Sequence, residues 1–117
     1  MGFIRHIDET PKVLEHFKGG KGNTEIFHIV QNDEELNGKG RLYSVVRLQK
    51  DCEIGTHRHQ GDTEMFFVLK GRGKTTVNGE CVEIGPGDVV FTDEGEEHFL
   101  LNECEEPLEL MALVLYK

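Results

Sequence analysis

From residue 41 onward the chain alternates apolar and polar side chains with period two, in short runs that stop at glycine-bearing turns. No other feature restricts the fold as strongly. Alternate residues of an extended segment face opposite ways, so such runs read as strands with one buried face and cannot form the continuous stripe a packed helix needs. Residues 42–48, 64–69, 74–77, 89–91 and 108–115 are the predicted strands here, rich in β-branched and aromatic side chains. Asn78-Gly79 tolerates positive φ at both positions, which predicts a tight hairpin between Val77 and Val82. Gly71-Arg72-Gly73 and Gly85-Pro86-Gly87-Asp88 predict further turns, and the resulting spacing of roughly eight to twelve residues is that of a sandwich or barrel.

The N-terminal third carries less pattern. Residues 25–30 read as a strand, residues 18–23 as a turn-rich segment and residues 31–40 as a polar loop. Thr10 at a cap position and Pro11 in a first turn predict a short helix over 10–17. There is no internal repeat, no low-complexity tract and no linker-like stretch in 117 residues, so a single all-β domain over 1–117 is expected.

Charge and cysteine usage narrow the partners. Twenty-two acidic residues against 13 basic ones give a formal charge of −9, and the basic residues are scattered, which argues against nucleic acid and anionic membranes. Acidic side chains interrupt the N-terminus before any apolar stretch long enough for secretion, so a cytoplasmic location is expected. Cys52, Cys81 and Cys104 form an odd, widely spaced set without a CxxC pair, which suits a reducing compartment and idle thiols.

The residues that carry chemistry lie among the strands. In His57-Arg58-His59 the two imidazoles share one face of an extended segment and can reach one ion. A turn at Gln60-Gly61-Asp62 lets Glu64 return beside them as an oxygen ligand, and His98 could close the set. Three nitrogens and one oxygen suit a divalent transition metal such as Mn, Fe, Ni, Co or Zn, and an octahedral ion would keep two positions for water, dioxygen or a chelating substrate. His6, His16 and His28 match no such pattern and read as solvated or structural.

These residues resemble the cupin superfamily. Its first motif has HxH, then E after three or four residues, then G after six, and here His57, His59, Glu64 and Gly71 stand in register. Its second motif is matched by Gly87, Gly95, His98 and Asn102, with 15 residues between Gly71 and Gly87. The resemblance covers roughly residues 42–114, with Asp51 in place of a leading glycine and Asp93 in place of a proline. It implies a double-stranded β-helix, or jelly-roll barrel, with a short irregular N-terminal segment, and one metal held by His57, His59, Glu64 and His98. It also implies a homodimer, to which residues 3–13 would add apolar side chains that lack an obvious core partner.

If those ligands point inward, alternation carries Phe66, Val68, Leu100 and Asn102 to the same interior, with Leu42, Ser44, Val46 and Leu48 before them and Leu110, Ala112 and Val114 after. Ser44, Phe66, Leu100, Leu110 and Ala112 are the candidates for a substrate pocket. Arg41, Arg47 and Tyr43 have the outward parity and Arg58 faces away from its histidines, which weakens a decarboxylase or sugar-isomerase reading, since a carboxylate substrate would want a cation. Chemistry would then fall to the metal. An oxygenase-like oxidoreductase acting on a small organic molecule is the first expectation, a non-catalytic binding or sensing module the alternative, and a metal-free barrel the third.

Overall fold

The computed structural model describes residues 1–7 and 9–117. Among the described residues are ten strands: β1 (Lys12–Glu15), β2 (Asn23–His28), β3 (Gly40–Leu48), β4 (Cys52–Arg58), β5 (Asp62–Lys70), β6 (Gly73–Val77), β7 (Glu80–Ile84), β8 (Val89–Thr92), β9 (Glu97–Asn102) and β10 (Leu108–Tyr116). They form a six-stranded sheet in the order β1-β2-β3-β10-β5-β8 and a four-stranded sheet in the order β4-β9-β6-β7, with every pairing antiparallel. The two sheets close over one another as a jelly roll, so the expected all-β barrel is what forms. No helix among the described residues is long and apolar enough to cross a membrane.

Alternation decides what lies between the sheets. Leu48, Val68, Leu108 and Leu110 are at most 1% exposed, and Val46, Ile54, Phe66 and Leu100 join them in one apolar cluster. Asn78 and Gly79 both have positive φ, as the β6–β7 hairpin requires. Gly85 donates its N–H to the Asp88 carboxylate at 2.7 Å, which fixes the turn before β8.

The N-terminal third departs from expectation in three places. Residues 10–17 do not form a helix: Lys12–Glu15 is β1, paired with β2 from Lys12↔Ile26 to Glu15↔Asn23. A helix of two turns is marginal by itself, whereas the open edge of β2 offers a ladder of partners already in place. The strand expected at 25–30 runs two residues earlier, and the polar loop at 31–40 holds a single 3-10 turn, Asp33–Leu36, whose Asn32 side chain accepts the Glu35 N–H. Cys81 and Cys104 are exposed, and all three cysteines are free.

One contact matters for the site. The segment around the 3-10 turn Phe17–Gly19 lies against β4 so closely that a Cβ on Gly20 would sit 2.0 Å from the Glu53 carbonyl oxygen, and one on Gly55 would sit 2.0 Å from that of Lys18. Only glycines permit that approach. It sets Phe17 over the interior beside Ile54 and His57, with His16 and Lys18 on either side in the left-handed region.

Candidate metal centre

The two sheets bring their polar residues together at one end of the interior. His57 on β4 pairs directly with His98 on β9, after a bulge between Ile54 and His57, and so both imidazoles come from the four-stranded sheet. Glu64 comes from β5 of the six-stranded sheet, opposite Thr92 of β8 and Val114 of β10. His59 follows β4 and is held by its own backbone, which donates to the Glu96 carbonyl and accepts from the Gly95 N–H. The four side chains expected as a set from the sequence are therefore brought together, with donor atoms all within 4.8 Å of one another.

The outer nitrogen of each ring is occupied. His57 Nδ1 lies 2.8 Å from the Gly55 carbonyl, His59 Nδ1 lies 2.6 Å from Asp62 Oδ1, and His98 Nδ1 lies 2.8 Å from Thr92 Oγ1. A carbonyl or a carboxylate accepts only, so Nδ1 of His57 and His59 must carry the proton, and in the neutral rings Nε2 is a bare lone pair. Those lone pairs converge. His98 Nε2 stands 3.1 Å from Nε2 of His57 and 3.1 Å from Nε2 of His59, while Glu64 Oε1 stands 3.0 Å from His59 Nε2 and 3.2 Å from His98 Nε2. Acceptors so close repel unless positive charge lies among them. Separations of this size are also those of ligand atoms bonded at about 2.1 Å to a common ion and at right angles to each other. The donor set fits a divalent metal.

Electrostatics points the same way. Burial alone would raise the Glu64 carboxyl, but in the metal-free chain hydrogen bonds from His59 and His98, made when their Nε2 atoms carry protons, outweigh it and hold the group down at about 2. His59 is pushed up, chiefly by Glu64, because a proton there is the cheapest positive charge the cluster can recruit. His57 is pushed down by burial. Burial would also raise Asp62, yet His59 and Arg41 together keep it ionised, with Arg41 Nε 2.9 Å from Oδ2. Asp62 thus fixes the His59 ring from behind, as carboxylates commonly do for metal-binding imidazoles. Phe66 stacks on the His98 ring with centroids 5.2 Å apart and completes its support.

The cluster opens on a cavity of about 90 Å³ in which, apart from His57, Glu64 and His98, Thr24 is the only polar side chain. Of the five pocket candidates, Phe66 and Leu100 line it. Ser44, Leu110 and Ala112 do not; each has no exposed surface, because β10 is flanked on both sides, with Leu110 between Val46 and Val68 and Ala112 between Ser44 and Phe66 in the register of β3, β10 and β5. The remaining walls come from residues not singled out in the sequence, notably Phe17, Thr24, Ile26 and Ile54. Asp62 and Thr92 went unrecognised too. Asp62, three residues after His59 in a turn, is the one of these with a visible signal, since an aspartate there reads equally as a turn former.

The outward arginines are engaged elsewhere. Arg47 pairs with Glu25 at 2.6 Å and Arg58 with Glu97 at 2.6 Å, while Arg41 serves Asp62. None of the three lines the cavity.

Comparison with known proteins places these features in a family. The cupin-domain family model matches residues 44–116. A Thermotoga maritima protein described as an oxalate-binding protein is 35% identical over 112 residues, 96% of this chain and 92% of its own. A crystal structure from the same organism, described as a predicted oxalate decarboxylase, superposes with a TM-score of 0.89 at 35% identity, covering 92% of this chain and 93% of that one. An uncharacterized Aquifex aeolicus protein is 29% identical over 83% of this chain and 76% of its own. A barrel domain protein of Salinispora arenicola shares the fold at a TM-score of 0.76 and 19% identity, over 100% of this chain and 90% of that one.

Proposed function

This chain belongs to the cupin family, and from that premise we propose that it holds one divalent transition metal through Nε2 of His57, His59 and His98 and the carboxylate of Glu64, and takes a small chelating organic acid beside them. One observation carries the reading: four donor atoms converge at the inner wall of a cavity whose other walls are almost entirely apolar. When bound, such an ion supplies positive charge and coordination sites for oxygen ligands. One ligand carboxylate leaves a divalent ion with net positive charge, which draws an anion into an otherwise unfavourable place. The small volume favours a compact ligand over a sugar. Oxalate, two adjoining carboxylates and little else, is the first to test, and the Thermotoga relative described as an oxalate-binding protein supports that choice.

The chain's own residues favour binding over decarboxylation or isomerisation. Every titratable group lining the cavity belongs to the proposed ligand set, so none is free to deliver or remove a proton at a substrate carbon. Phe17, Ile26, Leu42 and Val46 exclude water and shape the space. An oxygenase-like oxidoreductase is the second reading, favoured by the same lining, since an apolar cavity accepts dioxygen and a redox-active ion needs no side-chain acid or base.

Calorimetry with protein stripped of metal and then reloaded separately with Mn, Fe, Co, Ni and Zn tests the proposal. The expected result is one oxalate per chain, bound only by loaded protein, with no formate or carbon dioxide released on prolonged incubation. Metal-independent binding, or no binding of oxalate or any other small chelating acid, would overturn it. Aerobic consumption of a ligand with matching oxygen uptake would favour the second reading.

A further inference from the structure

The cavity in front of the metal centre has one wall that comes from a loop. Among the described residues that line it, only Phe17, Leu42, His57 and Phe99 are partly exposed, so these four surround its way out to solvent. Leu42, His57 and Phe99 sit on β3, β4 and β9, strands of the two sheets. Phe17 sits between β1 and β2, where no ladder holds it. Other bonds do. The Gly19 and Gly20 N–H groups donate to the His16 and Phe17 carbonyls at 2.9 and 3.0 Å, and the Glu53 N–H of β4 donates to the Lys21 carbonyl at 2.8 Å. His16 and Lys18, on either side of Phe17, have φ of 49° and 56°, left-handed values that a residue with a Cβ adopts only where its surroundings enforce them. Gly20 has φ −77°, which any residue adopts, so a glycine is needed there for the close approach to Glu53 and not for a turn. Two left-handed residues and a glycine kept for proximity serve one outcome, the placing of Phe17 at the cavity. Backbone strain of this kind gathers at ligand clamps.

We propose that Phe17 caps the cavity and sets the length of the acid it admits; this rests on the reading of the site as a cavity for a small chelating acid. In a space of about 90 Å³ the ring leaves room for a short acid, whereas each further methylene must displace the ring or distort the loop that carries it. The cap is a specificity determinant and takes no part in holding the metal, since it offers no donor atom. It also differs from the rest of the lining, because Ile26, Val46, Ile54 and Leu100 are buried on strands and cannot move aside without disturbing the core.

Calorimetry on the metal-loaded full chain with oxalate, malonate, succinate and glutarate tests this, each affinity being read as the ratio of variant to wild type so that the acids' own chelating strengths cancel. Phe17→Ala should raise that ratio by about 10-fold or more per added methylene while metal stoichiometry and oxalate affinity change little. Phe17→Leu should do so to a smaller degree, and it carries the test if Phe17→Ala does not fold. Gly20→Ala keeps the ring but pushes its loop off β4, so it should favour the longer acids too. Ratios that stay level along the series in the folded Phe17 variants overturn the proposal. A second readout needs neither metal nor acid. In the stripped chain diethyl pyrocarbonate should modify His57 faster in the Phe17 variants than in wild type, with exposed His28 as the unchanged control, as read by mass spectrometry. If no acid binds wild type, the reading of the site fails and this rate alone judges the cap: faster modification upholds it, and an equal rate overturns it.

Discussion

The interior of this barrel has two ends, built by one alternation and filled with opposite chemistry. At the far end Leu48 faces Leu108 across the β3–β10 pair and Leu110 faces Val68 across the β10–β5 pair, all at most 1% exposed. The polar residue there, Asn102, has its partners: its amide donates to the carbonyls of Leu48 and Glu106 at 2.9 and 3.0 Å, and its carbonyl accepts the Cys104 N–H at 2.9 Å. At the near end three imidazole nitrogens and a carboxylate oxygen point at one another, with no proton assigned to His57 or His59 Nε2 by their neutral tautomers. Both ends match family motif positions, since Asn102 and His98 belong to the same motif. What separates structure from function is whether the polar atoms are satisfied by the chain itself.

That comparison can be broken by mutation, the largest effect first. Leu110→Ala should cost about 2–5 kcal/mol, because a fully buried leucine leaves a cavity that its neighbours cannot fill. Denaturant unfolding measures this, and metal stoichiometry should be unchanged; a loss of metal would mean that the two ends are not separable. The near end should instead respond to pH. With Glu64 held at about 2 in the folded chain against an ordinary 4.5, its contribution is present above pH 4.5 and is lost as pH falls toward 2. Metal-free wild type should therefore lose up to ~3 kcal/mol over that window relative to Glu64→Gln, and parallel curves would show that Glu64 is not ionised among the histidines.

Asp62→Asn sharpens the same contrast. It keeps the shape but weakens the anchor behind His59, so metal affinity should fall about 10–100-fold while the melting temperature of the metal-free chain moves little. Competition with a chelator reads the affinity. The smallest expected effect is at Thr24, whose buried hydroxyl has no hydrogen-bond partner among the described residues. Thr24→Val replaces that hydroxyl by a methyl of similar size, and stability should stay level or rise by about 1 kcal/mol. A clear loss would mean that an unseen partner serves the hydroxyl.

The legibility of the molecule in its sequence follows the range of the interactions that shape it. Strand alternation extends over two residues, so the inward parity of Phe66, Val68, Leu100 and Leu110 is readable without knowing their partners. His57, His59 and Glu64 lie within eight residues, and motif spacing adds His98. The β1 strand was not readable, because Lys12–Glu15 is extended only where β2 offers an edge, and Thr10-Pro11 ahead of it signals a helix equally well. Phe17 reaches the cavity through left-handed backbone at His16 and Lys18, residues that carry no such preference in a sequence. The choice among Ser44, Leu110 and Ala112 depended on depth along the barrel, which parity does not contain.

The central claim is that the near end is a metal centre made by Nε2 of His57, His59 and His98 and the carboxylate of Glu64. Anomalous diffraction from crystals of reloaded protein tests it most directly. The expected result is a single peak per chain about 2.0–2.2 Å from all four donors, absent from His98→Ala crystals grown the same way. A peak elsewhere, a peak that survives His98→Ala unchanged, or an ordered cluster with no peak after reloading would contradict it.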